Sequence, residues 1–301
     1  MLDQATRLRE MAAAYRSQAS GTRQRRTRAI AVTSGKGGVG KTNISINLAQ
    51  ALIAAGQEVI LLDADLGLAN ADILLGTVSP YHLGHLLRGE REILELIHTT
   101  PSRLKLIAGG SGVEELANLP DDQLRFFVSA LSKLEGQADF LILDTGAGLS
   151  STVQEFVLAA DQVLVVTTPE PTSLADAYAT VKALAHRRPS IDMKLIVNQA
   201  ERVEEANVAA ERIIMTARDF LNLKVEHLGT VPRDPYVWQA VRHQVPFFVG
   251  YPGAPASRSI ELMAQRLLGV HTGAEAPPKS RTSGFFDRLT SLFTRSGTSA
   301  G

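Results

Sequence analysis

Residues 33 to 43 read Thr-Ser-Gly-Lys-Gly-Gly-Val-Gly-Lys-Thr-Asn, which places Gly35, Gly40, Lys41 and Thr42 at the G-x-x-x-x-G-K-[ST] spacing. That spacing has a chemical purpose. Glycines let successive backbone N–H groups converge on phosphate oxygens, a lysine neutralises the terminal phosphates, and a hydroxyl completes the shell of a divalent cation. Gly37, Gly38, Val39 and Asn43 belong to the same cradle, with Lys41 and Thr42 in the two named roles. A second lysine, Lys36, stands five positions ahead of Lys41, and a generic phosphate loop does not require it. Two aliphatic runs supply the acids. "VILLDAD" ends in Asp63 and Asp65, and "FLILDTGAG" delivers Asp144 with Gly146 and Gly148 behind it. Alternation along an extended chain puts Asp63 and Asp65 on one side, at the end of a strand where an open parallel sheet keeps its ligand.

Other chemistries are excluded by composition. There is no cysteine, so disulfides, thiolate nucleophiles and cysteine-held metal centres are absent. The seven histidines are scattered without metal-ligand spacing, and no serine–histidine–acid set stands out. The N-terminus lacks the uninterrupted apolar stretch of a secretion signal, and no charge-free run is long enough to cross a bilayer. An intracellular location is the resulting expectation.

The elements that must position these residues follow from short β-branched and aliphatic runs alternating with helical stretches. Strands are expected at 29–34, 58–65, 104–110, 139–146, 162–169, 194–199 and 226–232. Helices are expected at 41–55, 119–135, 172–187, 203–221 and 256–269. The strand runs show little alternation, so both their faces are expected to be buried. The predicted fold class is α/β, a doubly wound, mostly parallel sheet flanked by helices, of the P-loop NTPase type. One domain spans 29–270. A basic arm precedes it (1–28), a Pro/Gly/Ser-rich linker follows (271–283), and an amphipathic segment closes the chain (284–295). Net charge is zero overall, yet seven arginines against Asp3 and Glu10 give the first 28 residues +5, and the middle is mildly acidic.

"KGGVGKT" resembles the deviant phosphate loop of the MinD/ParA family of ATPases, in which the early lysine is diagnostic. The resemblance implies that Lys36 reaches the phosphates held by a partner copy, so that ATP seals a homodimer and the cation also stabilises transition-state charge, as an arginine finger does. It implies that Asp65 places the attacking water, that Asp63 supports Mg²⁺ through water beside Thr42 and Asp144, and that Asn70 lies near the dimer interface. A guanine site is disfavoured, because Asn198 is followed by Gln199 and then Glu201 rather than by N-K-x-D. In the family the equivalent asparagine and the loop after the last strand hold adenine, which implicates Asn198, Pro232, Arg233 and Asp234. The expected cofactors are ATP and Mg²⁺. Asp144-Thr-Gly-Ala-Gly148 departs from the family's usual D-x-P-A-G and resembles its FlhG branch.

Both ends extend that likeness. In "GFFDRLTSLFTR", Phe285, Phe286, Leu289, Leu292 and Phe293 fall on one helical face. This is the pattern of a helix that lies in an anionic lipid surface, although a terminal helix that folds back onto the domain or docks on a protein has the same pattern. "DQATRLRE" resembles the activating segment of the FlhG branch, with Asp3, Gln4, Leu8 and Arg9 as the matched positions. That likeness implies stimulation of an FlhF-type GTPase, contacts with flagellar C-ring components and a flagellar transcriptional regulator, and reversible residence on the inner face of the cell membrane. The competing expectation is a positioning ATPase for the division site or for DNA or cargo partition. The acidic middle and the apolar tail argue against DNA as a partner.

Overall fold

The computed structural model describes residues 26–65, 71–110, 120–146, 151–269 and 284–295. Eight strands form one sheet: β1 (Arg28–Thr33), β2 (Val59–Ala64), β3 (His98–Thr99), β4 (Lys105–Ile107), β5 (Phe140–Thr145), β6 (Gln162–Thr167), β7 (Met193–Ala200) and β8 (Val225–Pro232). Their order is β3-β4-β2-β5-β1-β6-β7-β8. All neighbours run parallel except β3, which pairs antiparallel with β4 at the edge. The chain leaves β1 toward one edge and returns past it toward the other, so β1 lies where the winding reverses and ligands of open α/β sheets collect.

The described helices are α1 (Lys41–Ala54), α2 (Ala71–Leu74), α3 (Leu83–Leu87), α4 (Asp121–Ser132), α5 (Ser151–Ala159), α6 (Pro171–Arg187), α7 (Val203–Leu221), α8 (Pro235–Arg242), α9 (Phe247–Gly250), α10 (Pro255–Leu267) and α11 (Phe285–Arg295). The period-2 geometry of the central strands splits their side chains between two cores. Ala29 and Ala31 of β1 join one core, which α4, α5, α6 and α7 cover. Ile30 and Val32 join the other, which α1, α8, α9 and α10 cover. Both faces are sealed, which explains the continuous aliphatic runs.

The seven predicted strands and five predicted helices all form, with ends shifted by a few residues at most sites. The short edge strand β3 and the helices α2, α3, α5, α8 and α9 carry no strong periodic signal, since their lengths are too small to show one. Residues 3, 4, 8 and 9 and Asn70, all expected functional positions, lie outside the described residues, as does Gly148.

The terminal helix α11 does not stand apart from the domain. It packs on α4 and α5, and Phe285, Phe286 and Leu289 are buried in the same core as β1, with Leu292 partly covered. Each such side chain stabilises the docked state by about 1.5–3 kcal/mol relative to exposure in water. Asp287 caps the helix by accepting from the Gly284 N–H at 3.1 Å. Arg288 donates through Nε to the Ala159 carbonyl at 2.9 Å and pairs with Asp161. Of the apolar face that the sequence left open to lipid, to the domain or to a partner protein, Phe285, Phe286 and Leu289 are thus buried by the domain itself. Among the described residues no helix is long and apolar enough to cross a membrane.

Candidate functional site

The phosphate loop connects the end of β1 to the start of α1. Two of its glycines are required by geometry. Gly40 holds φ at 89°, and a Cβ there would lie 2.3 Å from the Asn198 amide nitrogen. A Cβ on Gly35 would come within 2.2 Å of the Asp176 carbonyl oxygen on α6. Lys41, first residue of α1, is almost fully buried at 7% exposure, so its ammonium acts in a poorly solvated setting. Thr42 and Asn43 follow in the first turn.

Asp63 and Asp144 face each other on neighbouring strands, in register. Burial, helped by the Asp144 charge beside it, pushes the Asp63 carboxyl up to about 7. Both Asp63 oxygens accept backbone N–H groups, from Asp65 at 3.1 Å and from Ala71 at 3.3 Å. Asp63 therefore ties together the two sides of the 66–70 segment, a structural duty that its expected support of Mg²⁺ did not foresee. Asp65 sits immediately beyond the strand and is partly exposed.

Asp144 is fully buried, and burial pushes its carboxyl up against the opposing pull of the Lys41 ammonium and the Thr42 and Ser45 hydroxyls. Ser45 Oγ donates to Asp144 Oδ1 at 2.9 Å. Asp144 Oδ2 has no partner. Among the described residues the buried side-chain polar atoms without partners are this oxygen and the hydroxyls of Thr33 and Thr168. All three fall at the carboxyl ends of β5, β1 and β6, adjacent strands that converge on the phosphate loop. Unmet buried polar atoms are costly and rare, and their concentration at one end of one sheet marks a ligand site. Hydroxyl and carboxylate oxygens beside a phosphate cradle suit a hard cation such as Mg²⁺, so Thr42 and Asp144 fit that ion.

The base-binding candidates separate. Asn198 reaches the loop, donating from Nδ2 to the Val39 carbonyl at 2.7 Å. Its neighbour Gln199, held at φ 57°, points Nε2 toward the Gly38 carbonyl at 3.4 Å. A non-glycine residue in the left-handed region costs energy, and here the strain sits beside the loop. Pro232 ends β8 opposite Ala200. Arg233 is on the surface, paired with Glu201 at 3.0 Å. Asp234 is buried and joins two helices: it caps α8 by accepting from the Tyr236 N–H at 2.9 Å, and its other oxygen accepts from the N–H of Ala256, in the first turn of α10, at 3.0 Å.

Lys36 turns toward α6, where its ammonium meets Glu170 Oε2 and Thr172 Oγ1, each at 3.1 Å. Glu170, Thr172, Gln199 and Ser45 did not emerge from the sequence, because each is an ordinary polar residue whose significance depends on which segments meet. Ser45 left one signal: it falls one helical turn after Lys41, on a helix whose neighbouring face is buried.

A family profile described as an AAA domain matches residues 27–196. The antiactivator FleN of Pseudomonas aeruginosa is 36% identical over 260 residues, covering 86% of this chain and 92% of that protein. The flagellum site-determining protein YlxH of Helicobacter pylori is also 36% identical, covering 87% of this chain and 90% of its own length. The chain belongs to the MinD/ParA family of ATPases. Its MinD-type sheet resembles solved structures of that family. The septum site-determining protein MinD of Pyrococcus horikoshii, complexed with Mg-ADP, superposes with a TM-score of 0.67 at 25% identity, over 80% of this chain and 96% of that one. The MinD of the MinC:MinD complex of Aquifex aeolicus gives 0.66 at 28% identity, over 85% and 100%.

Proposed function

We propose that this chain hydrolyses ATP slowly, pairs with a second copy when ATP is bound, and regulates flagellar number or placement from the inner face of the cell membrane. The observation that carries the reading is the cluster of unmet polar atoms at the phosphate loop, in a chain similar along most of its length to FleN and YlxH. Loop N–H groups and Lys41 bind the phosphates. Asn198, fixed through its amide N–H₂ to Val39, leaves its oxygen to meet the adenine amino group. Asp65 orients the attacking water. Mg²⁺ bound by Thr42 and Asp144 would offset phosphate charge as the terminal bond breaks.

Pairing requires Lys36 to leave Glu170. That ion pair is exposed, its side chains 40% and 67% accessible, and such a pair contributes only about 0–1 kcal/mol. A phosphate on a second copy is a stronger partner, so exchange in the ATP state is favoured.

Membrane residence requires α11 to leave its seat, and lipid offers burial comparable to the burial it gives up. A single tail therefore gains little. Two tails on an ATP-bound pair add avidity without a new contact, which makes residence depend on nucleotide. Helix α5, downstream of the Asp144 loop and packed on α11, is a direct route for that dependence. The N-terminal arm, with Gln4 central, acts on an FlhF-type GTPase. C-ring components and a transcriptional regulator are further partners, the latter in keeping with the name antiactivator of the Pseudomonas relative.

The deciding experiment measures GTP turnover by the FlhF-type enzyme with the full chain, with a peptide of residues 1–28 and with a Gln4→Ala peptide. Stimulation that disappears on substitution is expected. No stimulation by either chain or peptide would return the assignment to division-site or partition roles.

A further inference from the structure

We propose that Ser45 is a positioning residue that holds the Asp144 carboxylate in the orientation needed to take a divalent cation alongside the nucleotide. The inference rests on the nucleotide-binding reading above. Ser45 is completely buried, so it cannot touch a ligand itself. Its hydroxyl lies 2.9 Å from Asp144 Oδ1 and 3.1 Å from the Lys41 carbonyl oxygen. A single proton divides unequally between the two acceptors. The carboxylate is the better acceptor, because a hydrogen bond to a charged group is about twice as strong as one between neutral groups.

The arrangement divides the carboxylate in two. Oδ1 is pinned to the helix that carries the phosphate loop, while Oδ2 stays buried and unpartnered. A rigid link between β5 and α1 fixes the distance from the Asp144 oxygen to the Thr42 hydroxyl, and a cation that demands near-ideal octahedral geometry is sensitive to such placement. Thr42 also pulls on Asp144, but its hydroxyl is the one a cation would claim. Ser45 has no such competing duty, so it is the donor that remains on Asp144 when the site is loaded.

A purely helical role for Ser45, back-bonding to Lys41, makes a different prediction. Loss of the hydroxyl would then leave cation dependence unchanged, and alanine, the best helix former, would be tolerated or mildly stabilising.

The test uses the full chain and a fluorescent ATP analogue, with binding measured in EDTA and across a MgCl₂ titration. For Ser45→Ala we expect unchanged affinity in EDTA and roughly a 10-fold rise in the Mg²⁺ concentration that gives half-maximal tight binding. Ser45→Thr, which keeps the donor, should restore the wild-type titration. A Ser45→Ala titration that overlays wild type, an equal loss with and without Mg²⁺, or a Ser45→Thr variant as defective as alanine would each overturn the proposal. Wild-type protein whose nucleotide binding ignores Mg²⁺ would bring down the cation reading itself, a distinct failure visible before any variant is made.

Discussion

Asp144, at the carboxyl end of β5, and Asp161, just ahead of β6, are two aspartates at opposite ends of the central sheet, and their surroundings differ in one respect. At the lower end, Asp161 is saturated: Oδ2 accepts from the Ala29 N–H at 2.9 Å, and Oδ1 accepts from Arg288, with Arg26 at 3.5 Å. At the upper end, Asp144 is more deeply buried yet has one oxygen with no donor. Folding satisfies a carboxylate whose job is to join segments. It leaves one Asp144 oxygen unmet, as the proposed cation role requires. Degree of satisfaction, more than burial, separates the structural end of this sheet from the chemical end.

Substitution at the two sites should give opposite results. Asp144→Asn should lower ATP turnover roughly 10²–10³-fold, as loss of one electrostatic contributor at a reacting phosphate does, while the melting temperature holds or rises because the burial that disfavours the charged carboxyl does not penalise a neutral amide. Asp161→Ala should instead cost about 2–3 kcal/mol of stability, since it removes charged hydrogen bonds that join the sheet to both chain ends, with turnover within a few-fold of wild type. Parallel turnover and melting measurements on the pair decide the matter, and identical behaviour would erase the distinction.

The next effect concerns only the lower end. Leu289→Ala should weaken the docking of α11 by about 2–3 kcal/mol, and limited proteolysis should then cut the C-terminal segment at least ~10-fold faster while the rest of the domain keeps its resistance. Uniform acceleration across the chain would mean that α11 is integral to global stability rather than a detachable layer.

The smallest effect is at the sheet edge. Hydrogen bonds from Lys194, on β7, and then from Lys224 hold the Glu226 carboxyl down to about 2. A carboxylate with a depressed folded value contributes stability above its unfolded value near 4.5 and loses it as pH falls toward 2. Glu226→Gln should therefore be less stable than wild type at pH 7, by under about 1 kcal/mol because the group is well exposed. The gap should close between pH 4.5 and 2 in denaturation curves. A gap of constant size would assign the effect to packing.

The phosphate loop was legible because its function constrains adjacent residues: glycines, lysine and threonine must follow one another at fixed spacing, so the signal is local. The central strands were legible because burial on both faces forces unbroken aliphatic runs. Asp65 and Asp144 inherited their places from the ends of those runs. Asp63 shared that logic, and Asp234 came from the family likeness; both also serve as backbone acceptors, because which N–H groups approach a carboxylate is set by segments that arrive from elsewhere in the chain. Phe285, Phe286 and Leu289 show the same boundary most clearly. Periodicity determined that this helix has one apolar face, but an apolar face has no preference between lipid and protein until a matching groove exists.

What the sequence determined by itself was therefore the set of properties carried by near neighbours: the nucleotide chemistry, the parallel sheet and the amphipathic tail. Only the tertiary structure decided what depends on residues far apart in the chain meeting in space. It set Lys36 against Glu170, Ser45 on Asp144 and Asn198 on the phosphate loop, and it seated the tail on α4 and α5. The physical reason is that hydrogen bonds and apolar contacts act over a few ångströms, and the short-range pattern of a chain does not contain the distances that folding creates.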